Sequence, residues 1–139
     1  MSLYIKRGFT ILEILVVIGL IGILVAMSSV GYVNYSQKSR DSRRKIDLQQ
    51  LRSALELYRS NSAEGVYPSV SQYGSGTTSV LITAGLLQSI PVDPRGNAYV
   101  YAPLPVNCNN TSTYCISYTI GTTLEVNNQQ YTVTPNSVN

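Results

Sequence analysis

From Phe9 to Val33 the chain runs 25 residues with a single charge, Glu13. A bilayer core takes roughly 20 apolar residues as a helix, so this stretch is long enough to span one. Ahead of it lie Met1 to Gly8, too few residues to fold, with Lys6 and Arg7 among them. A secretory signal combines a positive start, an apolar stretch of roughly 7 to 15 residues and a small-x-small cleavage site. Here the apolar run is longer than that, and no such site closes it. Cleavage is therefore expected before the run, after Gly8, where the missing side chain lets a protease close on the backbone.

Glu13 is the residue that needs an explanation. A charged group at mid-membrane costs roughly 2.5 to 3.5 kcal/mol, less near a helix end, and is read by default as functional. The plain reading is that Glu13 lies one turn from the edge and snorkels to water. The sharper reading gives it a cation. Cleavage after Gly8 would create an amine on Phe9, and a neighbouring copy shifted along the axis could bring its own amine to this carboxylate. In low dielectric the pair attracts strongly and either charge alone is penalised. Helices packed side by side would thereby be held in one register.

Gly8-Phe9-Thr10-Ile11-Leu12-Glu13, followed by Ile14-Leu15-Val16-Val17-Ile18-Gly19-Leu20-Ile21-Gly22-Ile23-Leu24, resembles the N-terminus of type IV pilins and pseudopilins. The resemblance covers about the first 35 residues. It implies a prepilin peptidase that cuts between Gly8 and Phe9 and methylates the new amine of Phe9, and it places the family's filament glutamate on Glu13. Where many members of that family have proline, this chain has Val30 within Ser28-Ser29-Val30-Gly31. A glycine and a serine pair weaken a helix less than proline does.

With 139 residues the chain has the length of one domain. Ten Lys and Arg face seven Asp and Glu, but two cations sit in the leader, so the remaining side chains balance at eight against seven. The basic total thus says little about nucleic acid. Eleven Tyr, no Trp and no His remove the commonest catalytic base. Cys108 and Cys115, in a Ser/Thr/Asn-rich stretch, read as a disulfide on the outer side of a membrane, with two buried thiols as the alternative. They make a poor zinc site without His or a second pair. No phosphate loop, paired carboxylates or nucleophile–base set appears, so no enzyme, cofactor or metal is expected.

Past Tyr35 the segment Ser36 to Asn61 carries Leu48, Leu51, Leu55 and Tyr58, spaced three, four and three apart, as one stripe of an amphipathic helix. Asn61, Ser62 and Gly65 are stop signals. In residues 66 to 139 only Asp93, Arg95 and Glu125 carry charge, amid Ser, Thr, Asn, Gln, Tyr and β-branched residues that suit a small sheet. Ser79 to Leu87 reads as a short helix ending near Gly85, and Ile90 to Asn97 as turn chemistry. Ala98–Ala102, Tyr114–Ile120, Thr122–Val126 and Gln130–Thr134 read as strands, with Asn127-Asn128-Gln129 as a hairpin tip. Pro103 to Thr113 is expected as a loop pinned by the cysteines.

The expected fold class is α+β: a long N-terminal helix whose outer half packs on an antiparallel sheet of three or four strands, in the manner of type IV pilins. Its parts are a leader at 1–8, a transmembrane or filament-core helix at 9–33, an amphipathic continuation at 34–62 and a β-rich head at 63–139. Asp93-Pro94-Arg95-Gly96-Asn97-Ala98-Tyr99 also resembles a segment of the major pseudopilins of type II secretion. That subfamily builds a calcium site from acidic loop residues near the C-terminus. Only Glu125 follows Asp93 here, and calcium takes six to eight oxygens, so no such site is expected.

Lys38, Arg40, Arg43, Arg44 and Lys45 follow the apolar run and outnumber Lys6 and Arg7 before it. The positive-inside tendency would put the C-terminal part in the cytoplasm; the cysteines and the cleavage motif favour the outside. The basic run reads as a solvated helix face, as contacts to anionic headgroups, or as inter-subunit pairs with Asp41, Asp47 or Glu56. Nucleic acid is the minor reading. Asn34-Tyr35-Ser36, Asn109-Asn110-Thr111 and Asn110-Thr111-Ser112 match a glycosylation pattern that a chain this rich in Asn, Ser and Thr meets by chance.

Three readings stay open: a pilus subunit, with a secretion or competence pseudopilin as the near alternative; an uncleaved single-pass membrane protein whose outer domain binds a partner; and, least supported, an enzyme. The first implies a membrane-held precursor with its head outside, then a helical homopolymer at the surface. The resemblance names the remaining partners as prepilin peptidase, an assembly ATPase and a platform membrane protein.

Overall fold

The computed structural model describes residues 8–74 and 76–136, the side chains of 28–31 excepted. The leader ahead of Gly8 lies outside the described residues. Helix α1 runs Ile11–Asn61, 51 residues, and the chain divides into two compact units, Met1–Gln37 and Lys38–Asn139. In the first unit α1 opens on Thr10, whose Oγ1 accepts the Glu13 backbone N–H at 3.2 Å. The described large apolar side chains from Phe9 to Tyr35 are 46 to 88% exposed, and none of them joins the buried core. Among the described residues no single helix is long and apolar enough to cross a membrane. By length and composition, Ile11–Met27 and Tyr32–Asn61 qualify together as a broken pair.

The second unit has a core. Leu48, Leu51, Ala54 and Leu55 are buried on one face of α1, joined by the partly buried Tyr58. The three-to-four spacing of these residues aligns them on that face. They share a cluster with Tyr67, Tyr73, Leu81, Leu87, Tyr99, Tyr101, Tyr118, Ile120 and Val133. After α1 come the short helices α2 (Val70–Tyr73) and α3 (Val80–Thr83), with a 3-10 turn, Gly76–Thr78, between them. Ser79 caps α3 by accepting the Leu81 N–H. Gly85, at φ +70°, stops the helix well short of Leu87. The Leu86 and Leu87 amides fold back onto the Leu81 carbonyl.

The sheet is antiparallel with order β1-β2-β3: β1 Val100–Leu104, β2 Ser117–Thr123 and β3 Gln130–Val133. Tyr101, Tyr118, Ile120 and Val133 point inward, as period-two alternation requires. Three differences from the expected strands have local causes. β1 begins later, at Val100, and runs through Pro103, which an edge strand tolerates. Tyr114 to Ile116 stay outside the sheet because the Cys115 N–H goes to the Asn110 side chain and the Cys115 carbonyl accepts from Tyr67.

The third difference joins what was expected as two strands. β2 passes straight through Gly121, where a Cβ would lie 2.7 Å from the Tyr131 carbonyl oxygen and 2.8 Å from the Thr132 methyl. Glycine is what lets β3 approach there. β2 then ends before Glu125, because the Glu125 and Val126 N–H groups turn to the Asp41 carboxylate at 2.9 and 3.0 Å.

Candidate functional site

Two clusters of residues concern function, one in each unit. In the first, Gly8, Phe9 and Glu13 stand together at the start of α1 with exposed side chains around them. Thr10 and Glu13 hold the N-cap and third helical positions of a Thr-x-x-Glu capping pattern, and the Thr10 half of the bond is present. A carboxylate in a helix's first turn also faces the positive end of the helix dipole. Glu13 therefore has a local reason to sit there besides any partner cation. The capping spacing could have been read directly from the sequence.

In the second unit, α1 carries Arg40, Asp41 and Arg44 on the side facing the Asp93 turn and the β2–β3 hairpin. The Arg44 guanidinium is 3% exposed and meets three carboxylates. It donates to both oxygens of Asp93, pairs with Asp41 at 2.6 Å, and pairs with Glu125 at 2.6 Å. Arg40 grips Glu125 with two bonds, 2.9 and 2.6 Å, and Arg95 reaches the same carboxylate at 2.8 Å. Three cations and three anions thus close on each other. Burial of such groups is tolerable only when each charge is matched and hydrogen-bonded.

The electrostatics follow from that matching. The Arg40 guanidinium, aided by Arg44, pulls Glu125 down to about 2 against the desolvation that opposes it. The Arg44 bond holds Asp93 below the ordinary carboxylate range. Burial pushes Asp41 upward, but the two backbone amides and Arg44 outweigh it and leave it lowered. Arg44 itself is raised, chiefly by Asp93. Among the described residues no group of three His, Cys, Asp or Glu is placed to hold a metal ion. Here the convergent carboxylates surround a guanidinium.

The five-residue basic run is therefore not one solvated face. Arg44 is turned inward and Arg40 is bonded to Glu125, so within the chain both pair with carboxylates. Asp41 and Asp47, expected as partners in other copies, are buried and bonded within the chain; Arg43 pairs with Asp47 at 3.0 Å. Lys38 is exposed, and the exposed Lys45 lies with its ammonium 5.4 Å from the centre of the Tyr131 ring. Glu56 accepts from the Tyr67 and Tyr118 hydroxyls. Nothing in the sequence alone brings Asp93, Arg95 and Glu125 together. Their one signal was scarcity: all three charges after Gly65 end in a single cluster.

Cys108 and Cys115 are joined by a disulfide, Cα atoms 5.2 Å apart, which closes the β1–β2 loop. Inside that loop Asn110 donates to the Tyr67 carbonyl at 2.7 Å and accepts from Cys115, so its amide is tied up. The Asn109 side-chain oxygen accepts the Thr111 and Ser112 amides.

No curated protein and no solved structure gives a significant match to this chain. Residues 5–29 match the prokaryotic N-terminal methylation motif. They span Gly8, Phe9, Glu13 and most of the exposed apolar face of α1. The chain therefore carries the prepilin signature of type IV pilins and pseudopilins, at the head of a long helix followed by a small three-stranded antiparallel sheet.

Proposed function

We propose that this chain is the structural subunit of a type IV pilus or pilus-like surface filament, assembled from the membrane through its N-terminal helix. The observation that carries the reading is the methylation motif laid over a helix whose described large apolar side chains stand open to the surroundings. On the order of 20 such side chains, each contributing about 1.5 to 3 kcal/mol when removed from water, demand either lipid or other copies. In this reading prepilin peptidase cuts between Gly8 and Phe9 and methylates the Phe9 amine. Residues 9–33 hold the precursor in the cytoplasmic membrane with the head outside, and Glu13 takes the Phe9 amine of an adjoining copy as subunits stack. Exposure to water in transit is prohibitive, so an assembly ATPase and a platform membrane protein would pass subunits directly from bilayer to filament.

The near alternative is the major pseudopilin of a secretion or competence system. The Asp93–Tyr99 segment favours it, forming a turn closed by the Gly96 N–H on the Asp93 carbonyl at 2.7 Å that leads into β1. Imaging of cells expressing the chain separates the readings. Long surface filaments that vanish in Glu13→Ala, while the variant accumulates in the membrane, support the pilus; secretion lost without any surface filament supports the pseudopilus. Intact mass of the native chain retaining Met1 or Ser2 would sink both.

A further inference from the structure

The pairing in the second unit sorts charges by depth. The side chains of Asp41, Asp47, Asp93 and Glu125 are at most 8% exposed. Around them Arg43 and Arg95 have side chains 70 and 58% exposed, and Lys38 and Lys45 are exposed as well. Arg95 reaches the Glu125 carboxylate that Arg40 also grips, so it stands against the same stretch of α1 as Lys38, Arg43 and Lys45. The four buried carboxylates are matched by Arg40 and Arg44 and, from the rim, by Arg43 and Arg95. Lys38 and Lys45 are thus a surplus of positive charge, and the charged side chains facing solvent here are basic.

We propose that Lys38, Arg43, Lys45 and Arg95 form a collar that rests the head on anionic phospholipid while the precursor is membrane-held. The proposal rests on the reading of residues 9–33 as the membrane anchor. Lys38 follows Val33, the last apolar residue of that stretch, by five positions, so the chain delivers the collar to the headgroup layer. Charge complementarity selects the partner. A second copy is a poor match, because the described part of its head offers Glu64 as an exposed carboxylate and Glu56 half-buried, both beyond the collar's stretch of α1. A headgroup layer offers phosphates at every point. Basic residues near an anionic leaflet contribute about 1 kcal/mol each, or about fivefold in association, and the attraction falls off within a Debye length. Such a hold is firm enough to orient the head and weak enough to yield when the subunit is withdrawn.

The full chain, reconstituted in phosphatidylcholine vesicles containing phosphatidylglycerol, tests this with spin-labelled forms of both lipids. Electron paramagnetic resonance reads their relative association, and retention after an alkaline wash reads anchoring separately. We expect preference for the anionic label by about fivefold or more at low salt, collapsing at high salt and in Lys38→Gln/Lys45→Gln. Arg59→Gln, which removes an exposed cation at the far end of α1, should keep it. An anchored chain that ignores headgroup charge, or whose preference survives the double substitution, overturns the collar. A chain washed off the vesicles overturns the anchor reading and the collar with it.

Discussion

From Phe9 to Gln37 the described apolar side chains lie on the outside; from Lys38 onward the chain hides many of its charges. In the first unit Ile11, Leu12, Leu15 and Ile18 lie open along α1. In the second, Asp41, Arg44, Asp47 and Asp93 sit as deep as leucines. Each arrangement is costly for an isolated chain in water, and the two costs are met differently. The head meets its own, because every buried charge finds an opposite charge in the same chain. The described apolar side chains of the N-terminal region stay exposed, and in the proposed reading lipid or other copies cover them. A helix that is hydrophobic all round is a buried helix, so its environment must come from elsewhere. Self-sufficiency separates the unit with a core from the unit with an exposed apolar surface.

The contrast is most easily broken at Arg44. Replacing it with methionine leaves Asp41, Asp93 and Glu125 without their shared cation. Removing one partner of a buried ionic set costs about 3 to 5 kcal/mol. Thermal or urea melting of Arg44→Met should show a loss of that size, while membrane retention stays at the wild-type level. A loss below about 1 kcal/mol would mean that the cluster is solvated and the head's self-sufficiency overstated.

Acid should loosen the same cluster more gently. Its carboxyls are lowered in the folded head, Glu125 to about 2, against about 4 in an unfolded chain. Their stabilisation is complete above about pH 5 and drains away as pH falls through 4 toward 2. Melting temperature should drop across that window, and less steeply in Glu125→Gln. A level profile would divorce the cluster from stability.

The smallest effect sharpens the comparison from the other side. The Tyr73 hydroxyl is buried with no hydrogen-bond partner among the described residues, and burial raises it to about 12. Its ring stacks on Tyr101 with centroids 4.2 Å apart, which Phe would preserve. Tyr73→Phe should therefore melt within about 1 kcal/mol of wild type, on the favourable side. A clear destabilisation would reveal a bond that this hydroxyl makes in solution.

How much of this was legible beforehand depended on range. The stripe Leu48, Leu51, Leu55 and Tyr58 could be read because helix periodicity is local, and the buried face of α1 is that stripe. The end of α1 at Asn61 followed from stop signals within a few residues. Strand limits were less legible. Gly121 reads as a break in isolation, yet it is where β3 comes closest. Val126 reads as strand, yet its amide is taken by Asp41, 85 positions earlier. The ionic cluster was the least legible, since Arg40 and Glu125 meet across the same separation and no pattern in either neighbourhood names the other. In the N-terminal region the methylation motif was legible because its residues lie in sequence order.

Beyond the Asp93 turn the chain has a further property. From residue 96 to the C-terminus the one Asp, Glu, Lys or Arg is Glu125, and it is folded inward. In its described part, hydroxyls, amides and scattered apolar side chains such as Val106, Tyr114 and Ile116 are what that stretch offers the medium. Particles kept dispersed by like charge clump when brine compresses their ion atmospheres. A coat of this kind would owe its dispersion to bound water, and fresh or salty surroundings would leave it equally content.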